Sequence, residues 1–183
     1  MLNLDSDGVM AGWRKYVERH HLHNVNWEEF HKIPETKRRG IFREIYQKDP
    51  DLFYKLDPLP GAELLLEAAD RNDCGWRILT SAAEDHPDFD RCKEGKEAWY
   101  KKHFGISADR LIVTENSAAK KEYAGRGHLL VDDYRRNCNE WALKGGFALW
   151  TLADAPNVEA LVQHIAEYQE DPNASTGFIL QIR

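Results

Sequence analysis

Short apolar runs recur along the chain, each separated from the next by a stretch of helical periodicity. They are Met1-Leu2-Asn3-Leu4, Trp76-Arg77-Ile78-Leu79, Leu111-Ile112-Val113, His128-Leu129-Leu130-Val131 and Phe147-Ala148-Leu149-Trp150. Runs this short, set between helices, predict buried strands of a parallel α/β sheet. Pro60-Gly61 opens a Leu/Ala/Glu-rich stretch that predicts a helix over residues 61–72, and a second is predicted over about 90–104, where Gly105 supplies a stop. Two more are predicted over 117–124 and 158–168, the latter with Val158, Leu161, Val162 and Ile165 on one face. Gly177 to Ile182 reads as an edge strand after a polar turn.

Residues 11–57 break this alternation. They hold no convincing strand but many aromatics, including Trp13, Tyr16, Trp27, Phe30, Phe42 and Tyr46. A small helical insertion is expected, with helices over 12–23 and 35–48, the second opening after Pro34 and carrying Ile41, Phe42, Ile45 and Tyr46 on one side. Asp57-Pro58-Leu59-Pro60-Gly61 is then a stiff return. The division expected is a core of residues 1–10 and 58–183 with 11–57 as a cap.

Composition narrows the function. The chain has 183 residues, 42% hydrophobic and 31% charged, which suits a soluble folded protein and not a disordered one. At this length folding buries roughly 70% of the unfolded surface, so no disulfide or metal staple is needed. Cys74, Cys92 and Cys138 are odd in number and lack paired spacing, which predicts reduced, incidental thiols. Lys+Arg 25 against Asp+Glu 31 leaves a net charge of −6, which argues against binding a nucleic-acid duplex. An anionic substrate must therefore be met by local positive groups. No apolar stretch approaches the roughly 20 residues of a membrane span, and Asp5 and Asp7 stand where a secretory leader would be basic and apolar. A cytoplasmic location is expected.

Four places carry chemistry. Leu4-Asp5-Ser6-Asp7-Gly8-Val9 puts two carboxylates at the carboxyl end of the first strand, where open α/β sheets bind ligands, with a glycine to allow a sharp turn. A calcium loop also starts Asp-x-Asp-Gly, but Val9 to Trp13 offers no further ligands. Thr80-Ser81 ends the second run with hydroxyls suited to phosphate oxygens, although such a pair is more often a strand end or helix cap. Asp132-Asp133 follows a buried strand, where acids are costly unless a cation or donors hold them. Together with Asp5 and Asp7 they suit Mg²⁺, a hard cation that takes carboxylates, water and phosphate. Lys120-Lys121 lies between, and either lysine can reach a phosphate while its neighbour faces solvent.

The order of these elements resembles the haloacid dehalogenase superfamily of phosphotransferases. The finer likeness is to the 5′(3′)-deoxyribonucleotidase-like branch, carried by Asp5-Ser6-Asp7-Gly8-Val9-Met10-Ala11, Leu56-Asp57-Pro58-Leu59-Pro60-Gly61-Ala62, Ile78-Leu79-Thr80-Ser81 and Leu129-Leu130-Val131-Asp132-Asp133. The resemblance implies a Rossmann-like three-layer α/β sandwich with a parallel central sheet and a small helical cap after the first strand. It implies a Mg²⁺-dependent phosphomonoesterase in which Asp5 is the nucleophile that forms an aspartyl-phosphate and Asp7 the general acid and base. Thr80, Ser81 and Lys120 would bind phosphate, Lys120 being preferred over Lys121. Asp5, the Asp7 backbone carbonyl and Asp133 would hold the metal, with Asp132 in support. Trp13 falls where these nucleotidases set an aromatic against the base; as a residue alone it reads equally well as packing inside the cap.

The expected substrate is a small phosphorylated molecule, most simply a (deoxy)nucleoside monophosphate. The alternatives are a general metabolite phosphatase, a phosphatase of nucleic-acid ends, which the cap and the acidic charge disfavour, and a silent nucleotide-binding protein on the same scaffold. His20-His21-x-His23 and Lys37-Arg38-Arg39 are read as solvated faces, though the latter could steer an anion.

Overall fold

The computed structural model describes residues 1–71, 75–172 and 177–182. Each apolar run is a strand: β1 (Leu2–Leu4), β2 (Trp76–Ser81), β3 (Leu111–Thr114), β4 (Leu129–Asp132) and β5 (Phe147–Trp150), with β6 (Phe178–Gln181) as the expected edge strand. They pair in parallel in the order β3-β2-β1-β4-β5-β6. The chain winds outward from β1 to one edge, returns to β4 and winds to the other. The switch point therefore lies between β1 and β4, and a crevice opens there at the carboxyl ends of the strands.

Strand residues alternate between two cores, as the pleat requires. Ile78, Leu129, Val131, Phe147 and Leu149 join the larger core, while Leu79, Leu130 and Ala148 pack with Cys138 and Trp141 on the other face. Cys92 and Cys138 are free and buried, and Cys74 lies outside the described residues.

Seven α-helices occur among the described residues: α1 (Trp13–His20), α2 (Trp27–Lys32), α3 (Glu35–Lys48), α4 (Ala62–Asp70), α5 (Phe89–Phe104), α6 (Arg135–Leu143) and α7 (Val158–Glu170). The helix expected over 61–72 ends by Asp70, and Asn72 lies outside the described residues. α5 is closed by Gly105 in the left-handed conformation, as its sequence predicts.

Three differences from the pattern have local causes. α1 stops at His20 because His21 leaves the helical conformation at φ −132°, and the chain then turns through Asn24 at φ 60°. α2 and α6 are additional: Asn26 caps α2 through the Glu28 and Glu29 N–H groups, and the buried side of α6 is the mixed set Asn137, Cys138 and Trp141, which hides its amphipathicity. Residues Ser117–Tyr123 form a 3₁₀ helix and not an α-helix, and the residue this helix buries is Lys120.

α1, α2 and α3 sit between β1 and α4, with their chain connections side by side. The Gly12 N–H donates to the Asp57 carbonyl (2.9 Å) and the Leu59 N–H to the Met10 carbonyl (2.8 Å). Trp13 and Arg14, at the start of α1, line the same cleft as Asp5 and Asp133 after β1 and β4.

Candidate active site

The turn after β1 is wound tightly around one carbonyl. The Ser6 oxygen accepts from the N–H groups of Val9, Met10 and Ala11. Gly8 at φ +82° completes it, and a Cβ there would lie 2.5 Å from Asp133 Oδ2. Only glycine lets the turn rest against the acidic end of β4.

Asp5 Oδ1 accepts from the Ser6 N–H and from the Lys120 ammonium, both at 2.7 Å. Lys120 Nζ also donates to Asp132 Oδ2 at 2.8 Å, and the lysine is only 2% exposed. Burial alone would lower its pKa, but Asp132 and Asp5 together hold it above the ordinary lysine value, so the ammonium stays charged. Lys121, the alternative, lies at the surface, 3.7 Å from Glu140.

The two acids after β4 have different surroundings. Leu130 faces the second core, so the alternation sends Asp132 to the same side, where α6 and the 3₁₀ helix wait. There it accepts from Lys120, the Tyr134 N–H and Asn137 Nδ2. Burial and the Asp5 charge raise its pKa to about 6 against the pull of Lys120. Asp133 instead lines the cleft. Burial, then the Asp132 and Asp5 carboxylates, push it well above the usual carboxylate range.

Asp5, Asp132 and Asp133 offer carboxylate oxygens within 4.8 Å of one another. Three close acids with one lysine among them leave negative charge uncompensated, and the hard oxygen donors fit a Mg²⁺ ion. The Asp7 side chain is not among them. Its Oδ2 accepts from Lys96 Nζ at 2.6 Å, and the same ammonium donates to Thr80 Oγ1 at 3.1 Å. Burial raises the Asp7 pKa and Asp5 adds to it, while Lys96 lowers it.

The cleft holds about 350 Å³, the size of a small-molecule site. Asp5, Asp7, Ser81, Lys120 and Asp133 line it on the core side, whereas the Thr80 hydroxyl faces Lys96. Trp13, Arg14, Arg38, Arg39, Phe42 and Tyr46 line it from the helices above. Trp13 also packs edge-on against Phe42 (5.4 Å) and near Trp27 (6.1 Å), so it serves the aromatic cluster and the cleft wall at once. Arg39 joins α3 to the loop after β2 through Asp85 (3.1 Å) and Glu84 (3.4 Å). Of the histidines read as a solvated face, His21 departs from that reading: its side chain is mostly buried, with Nε2 3.4 Å from Asp49.

Lys96 is the main residue that the sequence reading passed over. It lies on the inner face of α5 with Cys92, Trp99 and Tyr100, a lysine at an otherwise apolar position. That misplaced charge was the available signal. Tyr134, Asn137, Arg14 and Asp154 are likewise brought to the cleft without having been singled out.

Comparison with known proteins agrees with this picture. The profile of the family described as "5' nucleotidase, deoxy (Pyrimidine), cytosolic type C protein" matches residues 5–168. No curated protein matches in sequence. Among solved structures, a haloacid dehalogenase-like hydrolase from Streptococcus pneumoniae is similar with TM-score 0.52 and 11% identity, over 97% of this chain and 91% of that one. A HAD hydrolase of family IA, variant 3, from Entamoeba histolytica is similar with TM-score 0.51 and 12% identity, over 88% of this chain and 87% of that one. These two likenesses show the fold.

Proposed function

The chain belongs to the family of 5′ nucleotidases, deoxy (pyrimidine), cytosolic type C, phosphatases on the haloacid dehalogenase fold, and we propose that it is a Mg²⁺-dependent nucleotidase acting through an aspartyl-phosphate. The observation that carries this reading is the placement of Asp5: buried at the switch point, gripped by Lys120 at 2.7 Å, and grouped with Asp133 in one acidic cluster. A carboxylate so fixed is a nucleophile that needs no reorganisation before attack.

In this reading an Asp5 oxygen attacks phosphorus, the ester P–O bond breaks, and Asp7 gives its proton to the departing alcohol oxygen. Burial favours the protonated acid that this step needs, while Lys96 stabilises the carboxylate that results. Asp7 then takes a proton from water as it attacks the phosphoaspartate, and inorganic phosphate leaves. Lys120 and Ser81 hold the phosphoryl oxygens, and Thr80 supports Lys96. Asp5, Asp133 and the Asp7 backbone carbonyl are the residues to hold Mg²⁺, which when bound withdraws charge from the transferring group. Asp132 serves by fixing Lys120.

We take residues 11–57 as a cap that closes over the cleft and limits it to small substrates, (deoxy)nucleoside monophosphates, with Trp13 against the base. The description of the matching family supports the substrate class and a cytosolic location; no described helix is long and apolar enough to cross a membrane. The test is phosphate release from a panel of nucleoside monophosphates with Mg²⁺. Turnover of sugar phosphates but of no nucleotide moves the protein to the general metabolite phosphatases, and binding without turnover makes it a silent nucleotide-binding protein. An Asp5→Asn variant should keep its fold and lose about a thousandfold or more in kcat; retained activity removes Asp5 as nucleophile.

A further inference from the structure

One carboxylate in the cleft wall has two oxygens with unequal partners. Asp154 follows β5, is only 5% exposed, and is held at φ 58° with its N–H donating to the Gly8 carbonyl (2.8 Å). Its Oδ2 accepts from the Lys15 N–H at 2.7 Å. Lys15 is the third residue of α1, and Gly12, which precedes that helix, has no side chain with which to cap it. Oδ2 thus caps α1 from across the fold and fixes the helix that carries Trp13 and Arg14.

Oδ1 is buried without any hydrogen-bond partner. Capping does not require this second oxygen, because a hydroxyl or an amide oxygen would cap as well. A buried carboxylate oxygen with no donor is costly, and such atoms call for an explanation. Asp154 lines the same cleft as Asp7, Trp13 and Phe42. Burial raises its pKa to about 6, so at neutral pH it is mainly ionised and only accepts.

We infer that Asp154 is a specificity-determining residue: Oδ1 accepts a hydrogen bond from an O–H or N–H donor on the part of the substrate beyond its phosphate. The inference rests on the nucleotidase reading and deepens it. A nucleoside offers such donors on its sugar and on its base, and the shared chemistry is a neutral donor meeting a buried anion. Arg14 stands on the same wall, stacked over Trp27 at 5.3 Å, and helps to keep Asp154 ionised.

The test compares wild type with Asp154→Asn, whose amide oxygen can still cap Lys15 while its NH₂ replaces the free acceptor by a donor. Asp154→Ala is the second variant, removing the cap and the free oxygen together, so that comparison with Asp154→Asn separates the two. Substrates are a deoxyribonucleoside 5′-monophosphate, its ribonucleotide, ribose 5-phosphate and p-nitrophenyl phosphate, with thermal melts to check folding. The ratio of kcat/KM for the nucleotides over that for p-nitrophenyl phosphate should fall about ten- to hundredfold in a folded variant. An equal fall for ribose 5-phosphate assigns the donor to the sugar, and a fall confined to nucleotides assigns it to the base. An unchanged ratio, even with lower overall activity, leaves Asp154 as a helix cap only and overturns the proposal. A wild type that cleaves p-nitrophenyl phosphate but no nucleotide overturns the nucleotidase reading instead, and the ribose 5-phosphate ratio then decides on Asp154 by itself.

Discussion

The Lys96 ammonium lies 2.6 Å from Asp7 Oδ2 and reaches it from the inner face of α5. It is the strongest single influence lowering a pKa that burial raises. Removing it must push Asp7 higher. A Lys96→Met variant should therefore move the alkaline limb of the kcat/KM profile, where the Asp7 proton needed by the leaving group is lost, to higher pH and lower the maximum about ten- to hundredfold. Profiles of the two proteins with one nucleotide substrate check this, and an unshifted alkaline limb would separate Lys96 from the protonation of Asp7.

Lys120 and Lys121 are adjacent in sequence and opposite in environment. Lys120→Met leaves Asp5 and Asp132 buried with no cation between them and should cost about 3–5 kcal/mol with loss of turnover. Lys121→Ala removes only a surface pair 3.7 Å long and should stay within about 0.5 kcal/mol of wild type. Urea denaturation of both variants measures the contrast; comparable losses would mean that the wrong lysine has been assigned.

The contrast also marks what was legible beforehand. Each strand was visible because a buried parallel strand is a short apolar run, and Asp5, Asp7 and Asp133 were visible because acids directly after such runs need a reason. Lys96 and Asp154 were not. Neither follows a motif, and each takes its meaning from a partner far along the chain: Asp7 lies 89 residues from Lys96, and Lys15 lies 139 from Asp154. α6 escaped notice because its inner face mixes Cys138 and Trp141, which pack in the second core, with Asn137, whose amide serves Asp132.

Gly8 sits where both backbone and space demand glycine. Gly8→Ala places a methyl group 2.5 Å from Asp133 Oδ2 and forces an L-residue to φ +82°. The variant should lose about 1–3 kcal/mol of stability and, because Asp133 must move, need far more Mg²⁺ for half-maximal activity. A Mg²⁺ titration of activity reads this, and an unaltered requirement would show that Asp133 does not hold the metal.

If the close-packed Asp5, Asp132 and Asp133 hold Mg²⁺ as proposed, stability should depend on the cation. Chelation should abolish activity, and saturating Mg²⁺ should stabilise wild type by about 2.7 kcal/mol at a hundred times its Kd. Asp133→Asn removes one of the repelling charges, so the metal-free variant should be more stable than metal-free wild type by roughly 1–2 kcal/mol while its response to Mg²⁺ disappears. Thermal melts with and without Mg²⁺ test both signs. An undiminished Mg²⁺ shift in the variant would place the ion elsewhere.

Asp154 gives a pH dependence whose sign can be worked out. Burial raises its folded pKa to about 6, above the ordinary carboxylate value, while the Lys15 N–H pulls the other way. The folded protein therefore holds this proton more tightly than the unfolded chain. Its contribution is complete below about pH 4 and is lost as pH rises through about 6, a change on the order of 2–3 kcal/mol. Asn at this position cannot titrate. Relative to Asp154→Asn, metal-free wild type should lose that much stability between about pH 4 and 7, measured by urea unfolding at intervals of pH. Asp7 and Asp133, also raised, tilt both proteins the same way and largely cancel in the difference. Parallel curves would mean that Asp154 feels solvent through Oδ1, and the free acceptor in the cleft wall would then need no substrate to explain it.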